Sequence, residues 1–278
     1  MGGTHFEMPQ TARTKTVPGR NESGMFLNEP RAPLVEEGAK LSEDWPNMPM
    51  SALVLTALIF IAPPDTTWEH QALRHRMVEQ QIAARGVSNP AVLKAMRSVP
   101  RHRFVPGVSP DLAYSDRPFP IGHGQTISQP YIVARMTELV RPDSTDRALE
   151  IGTGSGYQAA VLASIVDSVF TVEIIPELAA TATKRLRSLG YHNVAVRTGD
   201  GFKGWPAHAP FDLIVVTAAP KKVPPPLVDQ LAEGGRLIIP VGPTPGTQQL
   251  TLLTKNNGKI SRRRVAPVRF VPFLKKEP

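Results

Sequence analysis

The second half of the chain alternates short apolar runs with amphipathic stretches. The apolar runs lie at residues 148–152 (ALEIG), 168–174 (SVFTVEI), 193–201 (NVAVRTGDG), 211–219 (FDLIVVTAA) and 236–242 (RLIIPVG). Helical patterns lie between them at 157–166 (YQAAVLASIV), 176–190 (PELAATATKRLRSLG) and 224–235 (PPPLVDQLAEGG). Because strands that alternate with helices form βαβ units, this half predicts an α/β fold with a doubly wound, mostly parallel sheet between two layers of helices.

An amphipathic helical segment precedes the alternating half. Thr66 and Glu69 have the spacing of a capping box, and the first helix is expected to end near Gly86. Its apolar positions recur three and four residues apart, at Leu73, Met77, Val78 and Ile82. A second, short helix is predicted between Pro90 in its first turn and Pro100 beyond its end.

The last part of the chain carries a turn signal between two strand-like segments. Residues 248–255 and 259–273 flank the dipeptide Asn257-Gly258. This dipeptide favours a tight two-residue turn between antiparallel strands. We therefore expect the chain to end in an antiparallel hairpin.

The first 65 residues show no helical or strand period and predict a poorly ordered extension. Their one apolar run, residues 51–62 (SALVLTALIFIA), is shorter than the roughly 20 apolar residues that cross a bilayer. Its length suits a signal peptide, but no Lys or Arg cluster precedes it. We expect a cytoplasmic protein, with export as the alternative if this run acts as a signal segment. One domain is expected over 66–278, with a helical segment and loop at 66–130 and an α/β core at 131–278.

The composition limits the chemistry that the chain can perform. Of its 278 residues, 41% are hydrophobic and 20% are charged, which suits one α/β domain with an appendage. A net charge of +8 favours acidic partners without naming one. The absence of cysteine excludes disulfides, thiolate nucleophiles and Cys-ligated zinc. His123 has no partner at ligand spacing, and His102, between two arginines, is expected at the surface, so no metal site is predicted.

A glycine-rich turn follows the first strand of the alternating half. Residues 150–156 (EIGTGSG) stand between a strand and a helix, where glycines let the backbone approach a ligand closely. The charge of Glu150, just before the first glycine, would repel a pyrophosphate. A carboxylate at this position can instead accept hydrogen bonds from an ammonium group, as in S-adenosylmethionine. The turn thus favours an amino-acid-bearing nucleoside, with a purely structural tight turn as the alternative.

Two further acids end the next two strands. Glu173 lies about 20 residues past the first glycine, where nucleotide-binding folds place the acceptor for the ribose hydroxyls. Asp200, before Gly201, ends the third strand. Each acid alone has an alternative role as a solvated strand end or a helix cap. Three acids at successive strand ends, the edge where open α/β sheets bind ligands, describe a nucleoside pocket without phosphate.

Several segments resemble known motifs. Residues 150–156, Glu173, and residues 199–201, 211–219 and 234–242 resemble the successive motifs of class I methyltransferases, which have a Rossmann-like fold. Residues 77–82 (MVEQQI), 99–106 (VPRHRFVP) and 124–130 (GQTISQP) further resemble the protein-L-isoaspartate O-methyltransferases. The match runs from about residue 69 to 273 and includes residues 271–273 (VPF).

This resemblance implies a reaction and a set of site residues. The reaction is methyl transfer from S-adenosyl-L-methionine to the free α-carboxylate of L-isoaspartyl residues in damaged proteins, which initiates repair; D-aspartyl residues are an optional second acceptor. The implied cofactor-binding residues are Glu150, Gly152, Thr153, Gly154, Gly156, Glu173, Asp200 and Gly201. Thr126 and Ser128 are the implied catalytic residues beside the methyl group, and Gln125 and Ile127 the implied substrate-binding residues.

A carboxylate acceptor explains why these motifs contain no general base. A carboxyl group has a pKa of about 4 and is already ionised at neutral pH, whereas an alcohol or an amide would need a base. Thr126 and Ser128 can orient the acceptor oxygen without adding a charge. The alternative role of Ser128 or Gln129 is to cap the helix that Pro130 opens, and the two roles are compatible.

Three other functions stay open on the residues alone. A nucleic-acid methyltransferase would share the fold, but residues 217–220 (TAAP) offer no aromatic ring to stack an extruded base. A dehydrogenase would use the same turn, which Glu150 disfavours. A binding module without turnover would grip an acidic partner through residues 262–264 (RRR), whose simpler interpretation is a solvated strand face. We expect a monomer that acts on isoaspartyl-containing proteins and peptides, without nucleic acid or stable membrane association.

Overall fold

The computed structural model describes residues 67–275 of the chain. The N-terminal extension, the apolar run at 51–62 and Thr66 of the predicted capping box lie outside the described residues. In chain order the helices are α1 (Thr67–Arg76), α2 (Pro90–Ser98), α3 (Pro110–Ala113), α4 (Pro130–Val140), α5 (Tyr157–Ala163), α6 (Pro176–Ser188) and α7 (Pro225–Asp229). The strands are β1 (Phe119–Gly122), β2 (Gln125–Ile127), β3 (Arg147–Ile151), β4 (Ser168–Glu173), β5 (Val194–Thr198), β6 (Phe211–Val216), β7 (Leu231–Val241), β8 (Gln248–Asn256) and β9 (Lys259–Val268).

Seven strands form one sheet in the order β5-β4-β3-β6-β7-β8-β9. Strands β3 to β7 are parallel, and β8 runs antiparallel to both β7 and β9. The strand order reverses between β3 and β6, and open sheets bind ligands at such a switch point, beyond the carboxyl ends of the strands. The predicted doubly wound, mostly parallel sheet and its C-terminal antiparallel hairpin are confirmed.

Two hydrophobic cores cover the two faces of the sheet. The first packs α2, α4 and α5 on one face, around residues such as Met96, Met136 and Leu162. The second packs α7 and the segment between β5 and β6 on the other face. Because successive residues of a strand point to opposite faces, Leu149 and Ile151 enter the second core and leave the intervening Glu150 on the side of α5.

The first helical segment continues beyond α1 with two changes of geometry. Met77–Ile82 form a π-helical stretch and Ala83–Arg85 a 3-10 turn, which ends at Gly86 with a φ of 88°. Three residues of the predicted stripe, Met77, Val78 and Ile82, are fully buried, and Leu73 packs at the margin of the core. The predicted apolar stripe and the predicted helix end at Gly86 are therefore confirmed. The spacing of the residues did not predict the π-helical stretch. None of the helices between residues 67 and 275 is long and apolar enough to cross a membrane.

The helix predicted over 224–235 is wrong in its second half. Helix α7 ends at Asp229, and the chain enters β7 at Leu231, which pairs with Phe211. The register between β6 and β7 then shifts before Arg236 pairs with Leu213, and Gly234 has a φ of 79° in this bulge. Backbone pairing with β6 has overridden the helical pattern of this segment.

The segment before α4, expected as a loop, contains a small two-stranded sheet. Strands β1 and β2 pair antiparallel, with Phe119 opposite Ile127. Gly122, His123 and Gly124 make the turn, and all three have positive φ. This ribbon fixes the backbone that carries Thr126.

Candidate active site

Three adjoining cavities open at the carboxyl ends of the parallel strands, and Thr126 and Thr217 line all three. The strand-end cavity extends along the ends of β3, β4 and β5 and is lined by Gly152, Glu173 and Gly201. The Glu150 cavity lies between β3 and α5. The outer groove lies between α4 and residues 266–271, which form the last part of β9 and the segment after it. We call the meeting point at Thr126 and Thr217 the neck.

Glu173, at the end of β4, joins two loops through both of its carboxylate oxygens. Its Oε2 accepts a hydrogen bond from the Gly154 amide at 2.8 Å, and its Oε1 accepts one from the Ile175 amide at 3.0 Å. The residue is 4% exposed and lines the strand-end cavity. Each oxygen has a second lone pair, so both can still accept a hydrogen bond from a ligand hydroxyl.

Glu150 is fully buried, and a hydrogen bond reaches one of its two carboxylate oxygens within the described residues. Its Oε2 accepts a hydrogen bond from the Thr171 hydroxyl at 2.6 Å, and that hydroxyl lies 2.7 Å from the hydroxyl of Thr153. Its Oε1 has no partner among the described residues. Burial, assisted by the charge of Glu173, raises the pKa of Glu150 to about 8. A buried acceptor without a partner is costly, so this cavity suits a ligand group that donates hydrogen bonds and carries positive charge.

The turn after β3 is held against the end of β6. The Thr217 hydroxyl lies within hydrogen-bond distance of the carbonyls of Gly152, at 2.7 Å, and Ile151, at 3.0 Å. Gly152 has a φ of 95°, and a Cβ at this position would lie 2.4 Å from Thr217 Oγ1. Only glycine fits this close approach, and the space next to the turn stays open for a ligand.

Most of the predicted cofactor-binding residues lie around these cavities. Glu150, Gly152, Thr153, Gly154, Glu173 and Gly201 line the strand-end cavity or the Glu150 cavity. Gly156 does not, because it faces Leu186 of α6, at 3.2 Å from where a Cβ would lie. Asp200 does not line them either, and its Oδ1 accepts a hydrogen bond from the Phe202 amide at 2.9 Å. No group of three or more His, Cys, Asp or Glu side chains within residues 67–275 could hold a metal ion.

The four residues predicted at the reacting group and the substrate occupy different positions. Thr126 is exposed at the neck, and Gln125 lines the strand-end cavity. Ser128 lines both the outer groove and the Glu150 cavity. Ile127 is 3% exposed and packs mainly in the first core. Gln129 occupies the N-cap position of α4, as one alternative had it, but no side chain caps the helix, so a side-chain capping role for Ser128 or Gln129 is wrong.

Asp116 fixes one wall of the outer groove. Its carboxylate accepts hydrogen bonds from the Gln129 side chain at 2.7 Å and the Tyr131 amide at 3.2 Å, and it pairs with Arg85 at 2.5 Å. The Arg85 guanidinium also lies 3.5 Å from the centre of the Tyr131 ring. Within residues 67–275, Arg85, Tyr131 and Arg269 are the groove's ionisable lining residues, and Asp116 lies outside the lining. No carboxylate or imidazole of the described residues therefore lines the groove.

The sequence did not assign the chain segment that closes the strand-end cavity. Residues 271–274 line this cavity after β9 has ended. The segment is joined to the end of β6, since the Ala219 amide donates to the Val271 carbonyl at 2.9 Å and the Phe273 amide donates to the Ala219 carbonyl at 3.1 Å. Phe273 stacks on Phe202 with ring centroids 4.4 Å apart. The sequence analysis also did not assign Thr217 to the site. Its position at the carboxyl end of β6 could have indicated this role.

Comparison with known proteins finds relatives of this whole domain. A sequence profile of the protein-L-isoaspartate(D-aspartate) O-methyltransferase family matches residues 72–278. A protein-L-isoaspartate O-methyltransferase of Gloeobacter violaceus is 58% identical over 202 residues, which cover 73% of this chain and 98% of the relative. Another from Opitutus terrae is 52% identical over 227 residues, which cover 81% of this chain and 97% of the relative.

Solved structures match the same part of the chain. A protein-L-isoaspartate O-methyltransferase, 31% identical, superposes with a TM-score of 0.66 over 72% of this chain and 65% of its own. A putative protein-L-isoaspartate O-methyltransferase from Plasmodium falciparum is 28% identical and superposes with a TM-score of 0.63, over 73% of this chain and 99% of its own. That protein was solved in complex with S-adenosyl-L-homocysteine.

The buried carboxyl group of Glu150 predicts a pH dependence of stability. Its pKa of about 8 in the ligand-free folded chain lies above its ordinary value of 4.5. Between these values the unfolded chain has released the proton and the folded chain keeps it. The free energy of unfolding therefore falls as the pH rises, by up to about 1.4 kcal/mol per pH unit, and gains nothing further from this group below the lower value.

We expect Glu150→Gln to remove this contribution, so that its free energy of unfolding changes less than that of the natural chain between about pH 5 and about pH 8. Urea denaturation without ligand measures it. The matched control is Glu177→Gln, an exposed acid on α6, which should keep the natural slope. Identical slopes in the natural chain and in Glu150→Gln would contradict the raised pKa.

Proposed function

The chain belongs to the protein-L-isoaspartate(D-aspartate) O-methyltransferase family, and we propose that its three cavities carry out the reaction of that family. The reaction transfers the methyl group of S-adenosyl-L-methionine to the free α-carboxylate of L-isoaspartyl residues in damaged proteins and so initiates their repair. D-Aspartyl residues are the second acceptor. The strand-end and Glu150 cavities hold the cofactor, and the outer groove holds the protein substrate.

The observation that carries this proposal is the chemistry of the outer groove, where no general base stands among the described lining residues. Within residues 67–275 its lining contains two arginines but no Asp, Glu, His or Lys. An alcohol or an amide acceptor would need a base to remove its proton. A carboxylate, with a pKa of about 4, reaches the neck already ionised. The groove thus suits a carboxylate acceptor on a peptide.

The other two cavities fit S-adenosyl-L-methionine, which when bound supplies a methyl group on a sulfonium ion. Glu173 keeps a free lone pair on each oxygen for the two ribose hydroxyls. The unpartnered Oε1 of Glu150 accepts from the ammonium group of the amino-acid part. Val172, Ile174 and Phe273 give the strand-end cavity apolar walls for the base. No Lys or Arg of the described chain lines either cavity, which disfavours the phosphates of a dinucleotide.

The neck aligns the acceptor with the methyl group. Thr126 and Thr217 line all three cavities, so the groove and the cofactor cavities meet between these two hydroxyls. Ser128, beside them, donates a hydrogen bond to the acceptor carboxylate and orients it without adding a charge. Ile127 and Val133 line the Glu150 cavity and are buried, and they keep water from the reacting groups. Orientation and exclusion of water suffice when two opposite charges neutralise each other in the transition state.

The proposal also includes the cellular location, the oligomeric state and the partners of the enzyme. We assign the enzyme to the cytoplasm, as a monomer without a nucleic-acid partner. In the part of the chain that the structure describes, the exposed large hydrophobic residues are Leu112 and Leu274, and so small a number favours a monomer. The end of β6 at residues 217–220 offers no aromatic ring for an extruded base.

Glu173→Gln should weaken the binding of S-adenosyl-L-homocysteine. The substitution removes the negative charge and replaces one carboxylate oxygen by an NH2 group. This group is a hydrogen-bond donor, and it would face the backbone amides and the ribose hydroxyls, which are donors too. The expected loss is about 1.5 to 3 kcal/mol, the worth of a hydrogen bond to a charged group. Isothermal titration calorimetry measures it, with circular dichroism to show that the variant is folded. Glu177→Gln, four residues further on, should bind normally, and an unchanged affinity of Glu173→Gln would exclude Glu173 from the ribose site.

Paired peptides that differ in one linkage test the acceptor. We expect isoaspartyl peptides to be methylated far faster than their aspartyl isomers, with the methyl ester on the α-carboxylate. Ser128→Ala should lower kcat, because the loss of one orienting hydrogen bond raises the activation free energy by about 1 to 3 kcal/mol. The affinity for the cofactor should stay nearly unchanged. Steady-state kinetics with labelled S-adenosyl-L-methionine give both results.

The control for that substitution is Ser261→Ala, an exposed serine on β9 that lines none of the three cavities. Its kcat should equal that of the natural chain. Equal rates on the two peptide isomers would refute the acceptor. An unaltered kcat in Ser128→Ala would refute the role of Ser128 alone.

Deletion of residues 1–62 should leave turnover intact. All residues of the three cavities lie between 85 and 274. The relative from Gloeobacter violaceus also matches 73% of this chain over 98% of its own length, so it has room for only a few residues beyond the matched domain. The kcat/KM on an isoaspartyl peptide and the thermal melting temperature of both chains measure the effect. A clear fall in either quantity would show that the extension supports the domain.

A further inference from the structure

The two arginines of the outer groove differ in what surrounds them. Arg85 pairs with Asp116 at 2.5 Å and lies over the ring of Tyr131. Its charge is therefore balanced by a neighbouring carboxylate before any substrate arrives. Arg269 is exposed and makes no salt bridge or side-chain hydrogen bond within residues 67–275. The groove thus keeps one positive charge that has no counterpart in the described chain.

The backbone on both sides of Arg269 is nevertheless fixed. Val268 is the last residue of β9 and pairs with Gln248 of β8. The Phe270 amide donates to the side-chain oxygen of the same Gln248 at 2.8 Å. Gln248 is itself buried, with 1% of its surface exposed. One buried glutamine therefore holds the chain before and after Arg269, and a long cationic side chain extends from a rigid base at the rim of the groove.

Arg269 lines the outer groove but not the two cavities that meet the groove at the neck. Val271, two residues further on, lines both the outer groove and the strand-end cavity, whereas Arg269 lines the groove alone. Thr126 and Thr217 at the neck line all three cavities, and Arg269 lines neither cofactor cavity. We therefore expect a substrate whose acceptor carboxylate has reached the neck to present a neighbouring residue to Arg269.

We propose that Arg269 makes the outer groove select isoaspartyl segments that carry an acidic residue close to the isoaspartyl residue. This inference rests on the proposed function, because it concerns the substrate of the same site. A carboxylate on the flanking residue pairs with the Arg269 guanidinium, and a cationic flanking residue is repelled by it. The bound segment is then held at the neck by its acceptor and at the rim by its flanking charge.

Three isoaspartyl peptides of the form X-isoAsp-Gly-X test this, with X as Glu, Gln or Lys. The natural chain should give kcat/KM values in the order Glu, Gln, Lys, with steps of about twofold to fivefold, the size expected for solvent-accessible charge pairs. Arg269→Gln should make the three values equal, and Arg269→Glu should reverse their order. The matched control is Arg264→Gln, which removes the same charge from an exposed position on β9 outside the groove lining and should keep the natural order.

The outcomes separate this inference from the function on which it rests. If Arg269→Gln retains the natural order of the three peptides, the inference is overturned. If Arg269→Gln slows all three peptides by the same factor, Arg269 attracts the acceptor carboxylate alone and the inference is again overturned, while the methyltransferase reaction stands. Failure of the natural chain to methylate any of the three peptides would overturn the proposed function itself.

Discussion

The carboxylate of Glu173 is the group on which the geometry of the site depends. It ends β4 and binds the amides of Gly154 and Ile175, so the loops after β3 and β4 are tied to one buried charge. Thr217 holds the same turn from the other side through the carbonyls of Ile151 and Gly152. Side chains at the ends of β4 and β6, the two neighbours of β3, therefore fix the turn at the point where the strand order reverses. The shape of the cofactor cavity follows from these hydrogen bonds.

Glu150 differs from Glu173, because the burial of its carboxyl group destabilises the ligand-free fold. The residue has one unpartnered oxygen and a raised pKa in a cavity that it shares with Ser128. A local conflict of this kind is expected where a protein binds a ligand, because the ligand supplies the missing partner. In the proposed complex the ammonium group satisfies Oε1 and favours the ionised carboxylate, so binding recovers the free energy that the empty cavity costs.

Features that repeat along the chain were predictable, and features that depend on distant contacts were not. Alternation of strands and helices predicted the parallel sheet, and acids at strand ends predicted Glu150 and Glu173. The early start of β7 at Leu231 arises from pairing with Phe211, which no local pattern contains. The return of residues 271–274 to the strand-end cavity arises in the same way, from pairing with Ala219. Gly156 and Asp200 match the motifs, yet only the three-dimensional structure shows that Gly156 faces α6 and that Asp200 binds the amide of the turn after β5.

The central claim is that the cofactor and the substrate occupy separate cavities that meet at Thr126 and Thr217. A crystal structure of the chain with S-adenosyl-L-homocysteine and an isoaspartyl peptide tests it most directly. The account predicts ribose hydroxyls on Glu173, the ammonium group beside Glu150, and the peptide in the outer groove with its free α-carboxylate at the neck near Ser128. A peptide bound elsewhere, or an adenosyl group whose ribose does not contact Glu173, would contradict it.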